Sequence, residues 1–168
     1  MDTGLLALIG IGIVVLIIAM NAFKYWTRRK LRTINTERKI TVTGEALTEF
    51  GRSVVLSADA ATVTALIESI PKNKLVSLRP GVWGLKYVER DDVIVELRNV
   101  DGGSELLVSS MREYWDSPQE LPKWTKLVEG LTQAAETKGI TTRRGAYAFV
   151  FEPPSKGTNG HGRWVLAA

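Results

Sequence analysis

With 168 residues, no cysteine and a single histidine, this chain lacks side chains that many enzymes rely on. The absence of cysteine excludes disulfides, thiolate zinc sites, iron–sulfur clusters and cysteine nucleophiles. The formal net charge is +4, but seven of the 22 basic residues lie between Lys24 and Lys39, and the chain from Ile40 onward carries 15 basic and 16 acidic residues. Because the body of the chain is nearly neutral, we expect no nucleic-acid partner.

The first predicted element is an uncharged apolar segment from Leu5 to Ala22, LLALIGIGIVVLIIAMNA. As a helix it would span roughly 27 Å, close to the hydrocarbon thickness of a bilayer. We therefore predict a transmembrane helix over residues 5–23, preceded by a short extracytoplasmic N-terminus at residues 1–4. A cleaved signal peptide is one alternative, but such peptides carry their positive charge before the apolar run. A buried helix of a soluble domain is the other, but it would normally be shorter and have one polar face.

A basic juxtamembrane segment, residues 24–39, follows directly. Its predicted membrane-interface residues are Lys24, Tyr25, Trp26, Arg28, Arg29, Lys30 and Arg32. Tyr and Trp favour the membrane–water interface, and basic residues attract anionic lipid headgroups and stay on the cytoplasmic side. The sequence therefore predicts a single-pass protein of the inner (plasma) membrane, with its N-terminus out and its C-terminal domain in the cytoplasm.

Residues 40–152 are long enough for one cytoplasmic domain with a core of its own. Residues 40–51 suggest a short extended piece and a turn, and residues 52–57 suggest a strand. Asp59 then stands where a helix N-cap is expected, Leu66 and Ile67 belong to one apolar helical face, and Pro71 ends that helix.

A strand-rich block and a long helix follow. The predicted strands cover residues 74–79, 84–90, 92–98 and 104–114, separated by turn residues at 80–81, 91–92 and 101–103. Trp124, Leu127, Val128 and Leu131 recur on one face of a predicted helix over residues 119–138, which Gly139 caps.

Two more short strands are predicted at 140–144 and 146–152. Pro153-Pro154 then begins a tail rich in glycine, serine and asparagine. We predict that this tail, residues 153–168, is flexible. Its apolar end, Trp164, Val165 and Leu166, is a candidate docking segment for a partner.

These elements predict an α+β fold: an N-terminal single transmembrane helix followed by one antiparallel sheet packed against two helices. In its order of elements, the region 52–138 resembles the helix-grip architecture of the START and polyketide-cyclase superfamily. The resemblance implies a cavity between the sheet and the long helix for a lipid or another hydrophobic ligand. Trp83, Tyr87, Met111 and Trp124 are the candidate walls of that cavity, and an ordinary packed core is their alternative role.

No constellation of residues points to catalysis. His161 lies between glycines in the predicted tail, where an imidazole is not held for proton transfer. Asp91 and Asp92 form a close acidic pair, which turn chemistry explains. The sequence contains no glycine-rich phosphate-binding motif. We therefore predict no catalytic residue, no metal site and no cofactor, with an enzyme that uses only carboxylates and tyrosines as the remaining enzymatic alternative.

The sequence as a whole predicts a non-enzymatic, membrane-anchored accessory protein of bacterial type. Its cytoplasmic domain is expected to bind and support a larger integral membrane complex, such as a transporter or the envelope-synthesis machinery. The alternative is a lipid- or hydrophobic-ligand-binding domain of helix-grip type that acts at the membrane surface.

Overall fold

The structure, a computed structural model, describes residues 43–70, 75–115, 117–154 and 161–167. The predicted transmembrane helix lies outside the described residues, as do the seven predicted membrane-interface residues between Lys24 and Arg32. None of the helices in the described ranges has the length and hydropathy of a membrane-spanning segment.

Three helices are present in the described part of the chain, one more than the two that the sequence predicts there. They are α1 (43–50), α2 (Ala60–Ser69) and α3 (Leu121–Thr137). The prediction of an extended piece and a turn over 40–51 is wrong for α1. Ala46 and Phe50, four residues apart on one side of α1, are both buried, and the indole N–H of Trp124 donates to the Glu49 carbonyl at 3.2 Å. Packing against α3 therefore stabilises a helix that is too short to form by itself.

Local end signals set the other two helices. The Asp59 side chain accepts a hydrogen bond from the Thr62 amide at 2.7 Å and so caps α2, as the sequence predicts. This bond also holds the pKa of Asp59 below its usual value. Beyond α3, Gly139 adopts a positive φ of 68°, which the turn after the helix requires and which glycine allows without strain.

Nine strands of the described chain form one antiparallel sheet, which confirms the α+β class. The strands are β1 (Arg52–Leu56), β2 (Leu75–Arg79), β3 (Val82–Leu85), β4 (Val93–Val100), β5 (Gly103–Tyr114), β6 (Ser117–Pro118), β7 (Thr142–Ala146), β8 (Phe149–Glu152) and β9 (Arg163–Leu166). Their main order is β2-β3-β4-β5-β1-β7. The predicted hairpin at 101–103 joins β4 to β5, with Val100 opposite Gly103.

The long strand β5 carries two neighbours in line along one side. Its first half pairs with β1, where Leu106 lies opposite Val54, and its second half pairs with β9, where Met111 lies opposite Trp164. β7 pairs with β1 and β8 pairs with β9, so these two strands form the next row outward. Three strands thus follow the long helix and complete the sheet beside β5.

The helices cover one face of the sheet, and the core lies between the two layers. The sheet contributes buried side chains such as Val54, Leu56, Val95, Leu106, Val108 and Met111, and the helices contribute Val63, Leu66, Ile67, Trp124, Leu127 and Leu131. Alternation along β1 places Ser53 and Val55 on the opposite face, away from the helices.

Two strand predictions need correction. The strand predicted over 84–90 is β3 (Val82–Leu85), because the chain folds back after Leu85 and the backbone carbonyl of Arg90 lies over Gly84. A side chain at Gly84 would collide with that carbonyl. The flexible-tail prediction is wrong for residues 163–166, because they form β9 with main-chain hydrogen bonds to β5 and β8.

Candidate interaction site

A buried carboxylate organises the loop between β3 and β4. Asp92 is 2% exposed, and its Oδ2 accepts hydrogen bonds from the backbone amides of Tyr87, Val88 and Glu89 at 3.1, 2.6 and 2.7 Å. Its Oδ1 accepts the hydroxyl of Tyr114 at 2.8 Å. One side chain therefore fixes three consecutive residues of the loop to the end of β5.

Asp91, the neighbouring acid, lies between two arginines. Its carboxylate is 2.9 Å from the nearest guanidinium nitrogen of Arg112 and 2.9 Å from that of Arg163. Burial alone would raise the pKa of Asp91, but the hydrogen bond from Arg163 and the charges of both arginines hold it below its usual value. Arg112 Nε also lies 3.1 Å from Asp92 Oδ1. These charges are satisfied by one another, so the cluster is a structural ion network linking the loop, β5 and β9.

An exposed apolar surface stands on this framework. We call it the apolar tip and define it as Tyr87, Val88 and Trp115, whose exposed fractions are 40%, 53% and 74%. The Tyr87 and Trp115 rings meet edge to face with centroids 6.0 Å apart, and the Tyr114 ring lies 5.5 Å from Tyr87. Edge-to-face contacts of this kind hold aromatic rings in a defined arrangement. The tip is therefore both exposed and ordered.

Backbone conformation and the aromatic base also position the tip. Trp115 has a positive φ of 52°, a conformation that residues with a side chain seldom adopt and that turns the indole outward after β5. Tyr114 beneath it is buried, and this burial together with its hydrogen bond to Asp92 raises the pKa of its phenol to about 12. The His161 ring packs 4.6 Å from the Tyr114 ring.

The apolar tip lies at the same end of the domain as the beginning of α1. Lys123 lies in the first turn of α3, and its ammonium group donates a hydrogen bond of 2.7 Å to the carbonyl of Lys86, next to Tyr87. Leu121, in the same turn, lines a groove of about 620 Å³ together with Gly44 and Ala46 of α1. The start of α3 thus contacts both the tip loop and the first described residues of the chain.

A second groove, of about 470 Å³, lies between α3 and β7. Trp124, Thr125, Val128 and Glu129 line it from the helix, Arg144, Gly145 and Ala146 from β7, and Glu49 and Arg52 from the chain between α1 and β1. Its charges are mixed, because Glu49 and Arg52 form an ion pair at 2.8 Å while Glu129 and Arg144 lie on opposite walls. A groove of this size is in the range of ligand sites.

A third polar cluster ties β7 to β5 on the face away from the helices. Glu105, 5% exposed, accepts hydrogen bonds from the Ser53 hydroxyl and, at 2.8 Å, from the Tyr147 hydroxyl. The bond to Glu105 and partial burial raise the pKa of Tyr147. Ser53 is fully buried, so its hydroxyl supports the sheet and is closed to a substrate.

The structure separates the four side chains predicted to line a ligand cavity. Trp83, Met111 and Trp124 lie in the packed core, 7%, 0% and 1% exposed, whereas Tyr87 is in the apolar tip. Of the four, Trp124 also contributes to the groove beside β7. The four residues therefore do not line one common cavity. A cavity for a hydrophobic ligand stays a prediction.

The predicted docking segment Trp164, Val165 and Leu166 is half-buried in β9, where its main chain is already paired on both sides. Trp115 and the structural role of Asp92 are absent from the sequence-based site. The Asp91-Asp92 pair is a usable signal for the loop, but its partners come from distant strands. Among the described residues, no group of three His, Asp or Glu side chains is placed to hold a metal ion.

No protein-family model, curated protein or solved structure matches this chain. The chain's own distinguishing features are the exposed apolar tip of its α+β domain and the groove beside its edge strand β7.

Proposed function

We propose that the protein is a non-enzymatic accessory subunit, anchored by residues 5–23, whose α+β domain binds an integral membrane protein through the apolar tip. The observation that carries this proposal is Trp115, which is 74% exposed and in edge-to-face contact with Tyr87, whose backbone amide donates to Asp92. Trp and Tyr dominate the energetics of protein interfaces, and a rigid anchor loses little entropy on binding.

The predicted tether supports a partner in the membrane rather than in the cytosol. About ten residues separate Arg32 of the basic segment from α1. Fully extended, such a linker reaches at most ~35 Å. A domain tethered at that distance meets membrane proteins at a high effective concentration.

Affinity purification of the full-length protein in mild detergent tests the proposal. We expect one integral membrane protein to co-purify stoichiometrically with the wild type and to be lost with Trp115→Ala. Leu78→Ala, which shortens an exposed apolar side chain on β2, is the matched control and should retain the partner. Migration of the wild type as a lone monomer would contradict the proposal.

A lipid-binding domain at the membrane surface is the second candidate function, favoured by the preference of Trp and Tyr for the membrane interface. Mass spectrometry of lipids in the same eluate distinguishes it from the accessory subunit. A stoichiometric lipid without a protein partner would replace the accessory-subunit proposal with this one.

A further inference from the structure

The outer edge of β7 has unused main-chain hydrogen-bonding groups. The Tyr147 amide donates to the Gly51 carbonyl and the Ser57 amide donates to the Thr141 carbonyl, so odd-numbered residues of this strand bond to β1. Because antiparallel strands alternate, the N–H and C=O groups of Thr142, Arg144 and Ala146 point away from β1. In the described part of the chain, no strand pairs with that side of β7.

The 470 Å³ groove runs beside this same edge, with Trp124 and Val128 of α3 on its far side. An edge strand facing a helix across a groove is the arrangement in which an extended segment adds to a sheet. Main-chain bonds to the strand would supply affinity, and side chains entering the groove would supply selectivity.

The charges beside the edge indicate what the segment contains. Arg143 lies opposite Val55, on the face away from the helices, and is exposed without an ion-pair partner among the described residues. Arg144 lies on the groove side and is likewise unpaired within the described chain. Residues of an added strand would alternate between Arg143 on one face and the groove on the other. The nearly buried Trp124 and Val128 line that groove, together with the more accessible Thr125 and Ala146.

We infer that β7 and the groove bind an extended partner segment in which acidic residues alternate with apolar ones. The acidic side chains meet Arg143, the apolar side chains enter the groove, and the main chain pairs with Arg144 and Ala146. This site is separate from the apolar tip, so its failure leaves the proposed function standing.

Amide hydrogen exchange on the full-length protein in detergent micelles tests the inference. The probe is a capped peptide of three Glu-Val repeats. At saturation we expect exchange of the outward-facing Arg144 and Ala146 amides to slow by about tenfold or more, while the already paired Gly145 amide is unchanged. A Lys-Val peptide and a Glu-Val peptide N-methylated on its valine amides, which would face β7, are the matched controls and should not slow exchange.

Two variants separate charge recognition from main-chain pairing. Arg143→Glu should reverse the preference, so that the Lys-Val peptide binds and the Glu-Val peptide does not, whereas Arg79→Glu on β2 should change neither. Ala146→Pro removes an outward N–H without breaking the ladder to β1 and should abolish binding. The inference would be overturned if the Glu-Val peptide did not slow exchange, or if its N-methylated form bound as tightly. It would also be overturned if Arg143→Glu still preferred the Glu-Val peptide to the Lys-Val peptide.

Discussion

Asp92 is not part of the apolar tip, but it positions the loop that carries Tyr87 and Val88. Its carboxylate is buried and accepts hydrogen bonds from three backbone amides and from the Tyr114 hydroxyl. Charged acceptors that are fully satisfied in this way can be buried at an acceptable energetic cost. The sequence places Asp92 in a turn correctly, but the partners that make it structural come from β5.

Replacement of Asp92 by alanine should destabilise the domain strongly. The change leaves three amides and a buried phenol without their acceptor and removes one ion-pair partner of Arg112. We expect the free energy of unfolding to fall by about 3 kcal/mol. Urea denaturation measures this difference. Glu68→Ala, at an exposed position of α2, is the control and should stay within about 0.5 kcal/mol of the wild type. A loss for Asp92→Ala no larger than the control's would refute the role of this carboxylate.

The raised pKa of the Tyr114 phenol predicts that the domain loses stability at alkaline pH. Its folded-state pKa is about 12, above the ordinary value of 10.0, so the folded state favours the neutral phenol. This contribution to stability is complete below pH 10 and is lost as the pH rises toward 12. Denaturation curves over this window should therefore show a steeper loss for the wild type than for Tyr114→Phe. Parallel losses in the two proteins would show that the phenol is not the responsible group.

At the level of elements, local signals predict structure well where the element's ends are encoded nearby. Asp59 marks the start of α2, Gly139 the end of α3, and the turn at 101–103 joins β4 to β5. These features depend on residues within a few positions of one another. The sequence therefore predicts the α+β class and most elements of the region 52–152.

Elements that depend on distant contacts are the ones the sequence does not predict. α1 needs Trp124 of α3, β9 needs an open side of β5, and the loop after β3 needs Asp92. The same reasoning explains the candidate site, because aromatic residues in a sequence do not reveal which of them will be buried. Trp83 and Met111 are core residues, whereas Trp115 is exposed and has a positive φ that no local sequence pattern predicts.

A pair of glycines tests the path of the loop after β3. Gly84→Ala should place a methyl group against the Arg90 carbonyl, lower the free energy of unfolding by about 1–3 kcal/mol and weaken partner binding through the apolar tip. Gly44→Ala is the control, since no atom lies within 4 Å of a Cβ there and alanine favours α1. Denaturation and co-purification of the two variants measure both effects. Equal stability of the two would contradict the backfolded loop.

The whole domain offers two surfaces of different character. The apolar tip is formed by Tyr87 and Val88 of the β3–β4 loop and by Trp115 after β5. The groove beside β7 combines main-chain groups with charged and apolar side chains near the middle of α3. Exposed aromatic side chains and an open edge strand are both features through which proteins bind other chains.

The most direct test of the central claim is photo-crosslinking in native membranes with a light-activated amino acid at position 115. We expect a single major adduct between this protein and an integral membrane protein, identified by mass spectrometry. The same amino acid at position 101, in the exposed β4–β5 turn, is the control and should give no such adduct. Position 115 crosslinking to no protein, or only to the proteins that position 101 reaches, would contradict docking through the apolar tip.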